Sequence, residues 1–369
     1  MRDVTIITTA CLPWFTGTSI NPMIKASELS KNNICVKLMV PWLSLEDQKK
    51  IYSVQFNSQK EQLDYINSYL DEHNYSRMDI IFYDGAYIPW YGIVPSEKFL
   101  DKVPVNNYLI LEEIDHLLIN KPFAKFLRAR PDLRIMGVIH TNYPYYWRKY
   151  FRFLPDFLYK FMIKNIYGVL HYAILKRNAH RLVALSPAID FYRGISYQCL
   201  HGVGDEFFHE DSVENMSDVY FIGKIIKEKS IDSFIDVANA LPDVKFDLWG
   251  KFFDTYADKF TGNITHRGET AEPSKSLKSY KIFFNPSQSE VLCTTTLEAI
   301  AMKKIVILPD VPCNQVFKLY KRAYFYNNLQ QAIDLVRKMS ASSSLPEVNT
   351  EGYRWSNVIK QFISQELVA

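Results

Sequence analysis

Short runs of apolar residues recur along the chain, separated by longer stretches with helical spacing. In the first half they fall at 4–9 (VTIITT), 34–40 (ICVKLMV), 79–84 (DIIFYD), 108–113 (YLILEE), 134–140 (RIMGVIH) and 181–186 (RLVALS). Continuous apolar runs between helical patterns predict strands of a parallel sheet with helices on both faces. The segment 205–218, DEFFHEDSVENMSD, then brings six acids and no Lys or Arg, the composition of a linker. The alternation restarts at 219–224 (VYFIGK), 245–250 (KFDLWG), 263–268 (NITHRG), 281–287 (KIFFNPS), 304–310 (KIVILPD) and 323–328 (AYFYNN). A helical pattern closes the chain from Tyr353 to Leu367. The predicted fold class is α/β, with two doubly wound, Rossmann-like domains facing a cleft. The expected bounds are an N-terminal domain over 1–204, the linker 205–218, a C-terminal domain over 219–350, and a terminal helix over 351–369 that can pack back on the N-terminal domain. Ligands of such sheets bind beyond the carboxyl ends of the strands, which is where the candidate residues fall.

Composition narrows the class. A chain of 369 residues can bury two cores, and 48% hydrophobic with 22% charged residues is globular and not disordered. A net charge of only +3 argues against a general nucleic-acid binder. The five cysteines form no CxxC pair and no zinc-ligand spacing, and their number is odd, so reduced thiols in a cytoplasmic compartment are expected. Val4 to Ile24 is uncharged, but Pro13, Gly17, Asn21 and Pro22 interrupt it; it reads as a strand and a glycine-containing loop, not as a signal peptide or membrane span.

The segment 285–310, NPSQSEVLCTTTLEAIAMKKIVILPD, carries the densest chemistry. A helix opening near Thr294 would expose unpaired N–H groups to an anion beside Thr294 and Thr295. Glu290 and Glu298, with seven residues between them, would flank that helix end. Carboxylates hold sugar hydroxyls and repel phosphate, so the arrangement fits a nucleotide sugar, with its diphosphate at the helix end and one sugar near each Glu. It also fits a surface helix with ordinary acids. Lys224 and Lys229, in GKIIKEK after the first strand of the second half, could neutralise a diphosphate, or simply form a solvated lysine turn. His140 ends a strand and could meet a sugar hydroxyl or take a proton; a structural role is the alternative. Gly17, in Thr16-Gly17-Thr18, allows close backbone approach to a ligand, or marks a turn. Glu112, Glu113, Asp115 and His116 could in principle ligate a metal; substrate contact or solvation is the preferred reading, since nothing elsewhere completes a metal site. From Tyr143 to Arg181 the chain holds eight Lys/Arg, one acid and twelve Phe/Tyr/Trp. That mixture suits an anionic membrane surface, with a basic-faced core helix pair and nucleic acid as rival readings.

Together, Glu290 and Glu298, the Gly223-Lys224…Lys229 pattern, the first-loop Gly17 and HGV (201–203) resemble the retaining nucleotide-sugar glycosyltransferases of the GT-B fold. The segments TTACLPWFTGTSINP, VPWLSLEDQ, LEEIDHL, GVIHTNYPYY, HGVGDEF, YFIGKIIKEKS and NPSQSEVLCTTTLEAIAMKKIVILPD are similar, more narrowly, to the digalactosyldiacylglycerol synthase family. The resemblance implies transfer of galactose from UDP-galactose to monogalactosyldiacylglycerol with retention, by an acceptor-binding first domain and a nucleotide-sugar-binding second one. It implies Glu290 on the donor sugar, Glu298 on the ribose, and Lys224, Lys229, Thr294 and Thr295 on the diphosphate. Gly223 would belong to the same loop, His140 would face the transferred sugar, Gly17 the phosphate, and Arg267-Gly268 the nucleobase. His140, Glu290, Lys224 and Lys229 are the expected catalytic set. No metal or other cofactor is implied, because lysines and the helix dipole replace the ion. The expected partners are a UDP-sugar, a glycolipid and a membrane surface met through Tyr143 to Arg181, with no nucleic acid; the expected location is cytoplasmic and peripheral on a membrane. A transferase of lipid-linked or capsular polysaccharide synthesis would use the same donor site, and a non-catalytic sugar-binding or membrane-tethering module could keep the fold. Where the family pattern has a Gly after the Glu298 helix, this chain reads Met302-Lys303-Lys304.

Overall fold

A computed structural model of the protein describes residues 3–89, 91–104, 107–148, 150–208, 218–251, 256, 259–260 and 262–367. The chain divides into two compact units: Met1–Leu185 with Ile189–Leu200 and Ile359–Ala369, and Ser186–Ala188 with His201–Val358. These boundaries differ from 204, 219 and 350. His201–Gly204 belong to the second unit, where Val203 exchanges backbone hydrogen bonds with Tyr353 and Trp355. Residues 209–217 of the expected linker lie outside the described residues; Asp205–Phe207 form a short 3-10 turn. The closing helical pattern is a turn at Glu351–Tyr353, a helix at Trp355–Phe362 and a wider turn at Ile363–Leu367.

The first unit is built on β1 (Val4–Ile7), β2 (Val36–Trp42), β3 (Asp79–Ile88), β4 (Gly92–Pro95), β5 (Tyr108–Glu112), β6 (Arg134–Ile139), β7 (Arg181–Ala184) and β8 (Ser196–Tyr197). Their order is β4-β3-β2-β1-β5-β6-β7-β8, all parallel except the β3–β4 pair. The second unit has β9 (Val219–Ile222), β10 (Phe246–Trp249), β11 (Ile264–Gly268), β12 (Ile282–Phe284), β13 (Ile305–Pro309) and β14 (Ala323–Tyr326), ordered β11-β10-β9-β12-β13-β14 and parallel throughout. All twelve predicted strands are present. Among the described residues the two additions are edge strands: β4 is too short to show a pattern, and β8 is a two-residue pairing with both residues exposed.

Each sheet reverses its winding direction once, between β1 and β5 in the first unit and between β9 and β12 in the second. Loops that leave neighbouring strands there diverge to opposite faces and leave room for a ligand. The central strands β1, β5, β12 and β13 are buried at every position, as expected of strands covered on both faces. Phe234, Phe246 and Phe284 pack together in the core of the second unit.

Candidate functional site

In the second unit the sequence places glycine at the end of three neighbouring strands. Gly223 follows β9, Gly250 follows β10 and Gly268 closes β11. The Gly223 N–H donates to the Trp249 carbonyl at 3.0 Å and that of Gly250 to Gly268 at 2.8 Å. A Cβ on Gly250 would lie 1.9 Å from the Gly223 carbonyl oxygen, so only glycine allows this approach. Gly223 has φ +150°, a conformation side-chain-bearing residues rarely adopt, and it turns the chain off the strand towards Lys224. Lys224 is exposed, and a 3-10 turn at Lys227–Lys229 leads into the next helix.

The loop after β12 is fixed by its own polar side chains. The Ser287 N–H donates to Asn285 Oδ1 at 3.1 Å, and Asn285 Nδ2 reaches Cys293 Sγ at 3.2 Å. Ser289 Oγ donates to the Glu228 carbonyl at 3.0 Å, which ties this loop to the one leaving β9. Lys229 and Glu290 are consequently ion-paired, with side chains 25% and 19% exposed. A pair open to water on one side is opened at modest cost by a better ligand. Beyond it the helix Thr294–Ala301 begins with Thr294 and Thr295, has no acid in its first turn and no side-chain cap, and so presents N–H groups and a positive dipole end. Cys293 precedes its first residue; burial pushes its thiol up, so it is a neutral hydrogen-bonding partner of the Thr295 hydroxyl (3.2 Å) and not a thiolate nucleophile. Glu298, one turn along, is half-buried. Burial, reinforced by the Glu206 carboxylate, pushes it up to about 8. At β11, Arg267 Nε donates to Asp247 at 2.9 Å, and Asp247 also accepts from the Tyr280 hydroxyl, so the guanidinium beside Gly268 is held in place.

Thus Gly223, Lys224, Lys229, Glu290, Thr294, Thr295 and Glu298 collect at the carboxyl ends of β9 and β12, where that sheet reverses, and Gly268 stands two strands away. The Asn285, Ser289 and Gly250 contacts that fix them were not singled out from the sequence. Gly250 ending a predicted strand was the available signal; the serine and asparagine bonds left none.

In the first unit Gly17 opens the helix Gly17–Lys31 rather than sitting in a loop. A Cβ there would meet only Asn21 Nδ2, at 3.4 Å, so the chain's own packing does not demand glycine. His140 follows β6, and its Nε2 bonds to Glu112 Oε2. The expectation that the LEEIDH acids are solvated needs correcting. Glu112, Glu113 and His116 are buried; Glu112 holds Lys25 and His140, Glu113 holds Thr9, and His116 holds Tyr143. Burial raises Asp115 as well. Glu112 ends the apolar β5, Glu113 turns the chain in a left-handed conformation (φ +56°), and Ile114–Leu117 form one short helical turn, so Glu112, Glu113 and His116 lie in the interior. Among the described residues no cluster of three or more His, Cys, Asp or Glu is arranged to hold a metal ion.

The basic, aromatic stretch forms helices at Tyr143–Trp147, Asp156–Met162 and Gly168–Lys176, joined by a wider turn at Ile163–Tyr167. Tyr159 and Leu175 face inwards, and Gly168 packs on the Phe191 backbone. Much of the remaining apolar surface is open to solvent. Phe153 and Phe157 are 77% and 76% exposed, and Phe161, Ile166, Leu170 and Ile174 are more than half exposed. The one acid, Asp156, is paired with Arg148. No helix among the described residues is long and apolar enough to cross a membrane.

Two parallel-sheet Rossmann-like units with these loops define a GT-B glycosyltransferase: residues 217–339 match the family described as glycosyl transferases group 1. The fold is also that of the Anabaena protein HepE in complex with UDP, at 10% identity over 100% of both chains and a TM-score of 0.64. The soybean (Glycine max) protein digalactosyldiacylglycerol synthase 2, chloroplastic, is 31% identical over 398 residues, 98% of this chain and 82% of that protein. Soybean digalactosyldiacylglycerol synthase 1, chloroplastic, is 29% identical over 391 residues, which is 98% of this chain and 49% of that one. The chain belongs to the digalactosyldiacylglycerol synthase family, and it spans about half the length of the synthase 1 relatives it matches.

Proposed function

We propose that the protein is a retaining, UDP-sugar-dependent hexosyltransferase that moves galactose from UDP-galactose to monogalactosyldiacylglycerol at a membrane surface. The observation that carries the donor half of this reading is the Lys229–Glu290 pair beside an uncapped helix N-terminus. A diphosphate takes Lys229, Lys224 and the N–H groups around Thr294 and Thr295; this frees the Glu290 carboxylate to accept hydroxyls of the donor sugar. Glu298 takes the ribose, with Gly223 and Gly268 giving close access to the backbone and Arg267 lying by the base. His140 serves the sugar being transferred, and Gly17, where packing makes no demand for glycine, serves the phosphate. The acceptor hydroxyl attacks from the face the UDP leaves, and the departing phosphate oxygen takes its proton. Two lysines and the helix dipole supply the positive charge, so activity is expected to persist in a chelator.

The acceptor half is supported by the family and by the exposed aromatic and aliphatic side chains between Phe153 and Ile174, set among Arg and Lys. Rings and basic groups together suit the headgroup depth of an anionic bilayer. Radiolabelled UDP-galactose and monogalactosyldiacylglycerol in mixed micelles should give a digalactosyl lipid. UDP-galactose that is bound or slowly hydrolysed without lipid product would instead point to a polysaccharide acceptor.

A further inference from the structure

Beneath His140 the first unit buries a row of three ionisable side chains. Lys25 comes from the middle of the helix Gly17–Lys31, Glu112 is the last residue of β5, and His140 follows β6, the strand next to β5. Lys25 Nζ lies 2.5 Å from Glu112 Oε1, and His140 Nε2 meets Glu112 Oε2; the three side chains are 1%, 0% and 4% exposed. Thr9 and Thr141 beside them engage Glu113. A buried ion pair is a poor investment in stability, because desolvation of both charges offsets their attraction. Its geometry does achieve something else. An ammonium has only donors, so it claims one carboxylate oxygen and points the other at the imidazole. An imidazole that donates its Nε2–H to a fixed carboxylate has one tautomer and one ring orientation.

We infer that Glu112, anchored by Lys25, is the positioning residue for His140, holding the ring as the Nε2–H tautomer with its lone pair on Nδ1. The inference rests on the reading of His140 as the residue that serves the transferred sugar, but the structural half can be tested without it. In Glu112→Gln the amide oxygen is claimed by Lys25, so the amide NH2 faces the imidazole. Nε2 must then accept, and the proton moves to Nδ1. The pair Lys25→Met with Glu112→Leu removes both charges and keeps the volume.

The test is 15N NMR of histidine-labelled protein, with His140 assigned by its loss in His140→Asn, combined with turnover and melting temperature. Expected are an Nε2–H ring in the unaltered protein and an Nδ1–H ring in Glu112→Gln. Turnover of Glu112→Gln should fall by about 10–100-fold with donor KM changed less, the scale of losing an orienting partner. The double variant should melt like the unaltered protein yet show the same loss of turnover. An unchanged tautomer in Glu112→Gln, or full turnover in the stable double variant, overturns the inference. If Glu112→Gln does not fold, the double variant decides alone. If no acceptor is found at all, the tautomer decides, and only the reading of His140 fails.

Discussion

At the scale of single residues, the loops leaving β9 and β12 place opposite charges in contact before any ligand arrives. Lys229 and Glu290 neutralise each other in the absence of donor. Replacing Glu290 by Gln removes a hydroxyl acceptor and leaves Lys229 less neutralised. Turnover should therefore drop by about 100-fold while UDP affinity holds or tightens. Lys229→Ala should weaken UDP about tenfold by calorimetry, the loss of one charge-assisted contact. Unchanged affinity there would remove Lys229 from the phosphate site. Glu298 supplies a prediction of a different kind. Its carboxyl is raised from 4.5 to about 8 in the fold, so between those values the folded protein binds a proton that the unfolded chain releases. Stability is then lost as pH rises through that window. Glu298→Gln should melt with the parent at pH 4, gain on it progressively up to pH 8, and keep a constant lead above. A pH-independent difference would mean that the carboxyl is not buried in this way.

At the scale of elements, the helix Thr294–Ala301 ends in a glycine-type motif without the expected glycine. The N–H of Lys303 donates to the Ile300 carbonyl and that of Lys304 to Ala299, both at 2.9 Å, and Lys303 has φ +57°. These are the two bonds of a helix end that ordinarily recruits glycine. Lys303 occupies the left-handed position instead, while Lys304 turns inwards and donates to the Lys278 carbonyl at 2.6 Å. The motif survives because its bonds are made by the backbone, and the cost is local. Lys303→Gly should stabilise the protein by about 0.5–1 kcal/mol in a urea titration, with donor binding unchanged. A loss of stability would mean that the Lys303 side chain does more than tolerate its backbone.

At the scale of the whole molecule, the apolar surface is unevenly distributed. Most exposed large hydrophobics fall between Tyr145 and Tyr197 in the first unit. Phe157 and Phe161 sit one turn apart on the helix Asp156–Met162, with Phe153 in the turn before it, and Leu170 and Ile174 sit one turn apart on the helix Gly168–Lys176, with Ile166 in the wider turn before it. Changing Phe153, Phe157 and Phe161 to Ser should abolish co-flotation with anionic liposomes and leave the melting temperature within a few degrees, because these rings contribute little to the core. Flotation that survives the triple change would place membrane contact elsewhere.

The alternation of mostly apolar runs with helical patterns indicated twelve strands and parallel sheets, because a strand covered on two faces is predominantly apolar. The candidate residues were locatable for a related reason: Gly223 and Lys224 directly follow a strand, Lys229 and Glu290 lie in the loops beyond strand ends, Glu298 lies on the helix that follows, and strand ends can be read from where apolar runs stop. Tertiary structure decided what happens across those ends. The sequence shows Lys229 and Glu290 far apart; Ser289 bonding to the Glu228 carbonyl makes them a pair. It shows LEEIDH as polar; the path of β5 into the interior makes Glu112 a buried carboxylate between Lys25 and His140. It shows basic and aromatic residues from Tyr143 to Arg181; only the packing decides that Tyr159 turns inwards, that Trp147 packs against Tyr143 and Tyr167, and that Phe153, Phe157 and Phe161 face out. Burial of apolar runs is a property of local pattern. The partner of a buried charge is set by which strands become neighbours, and no local pattern encodes that.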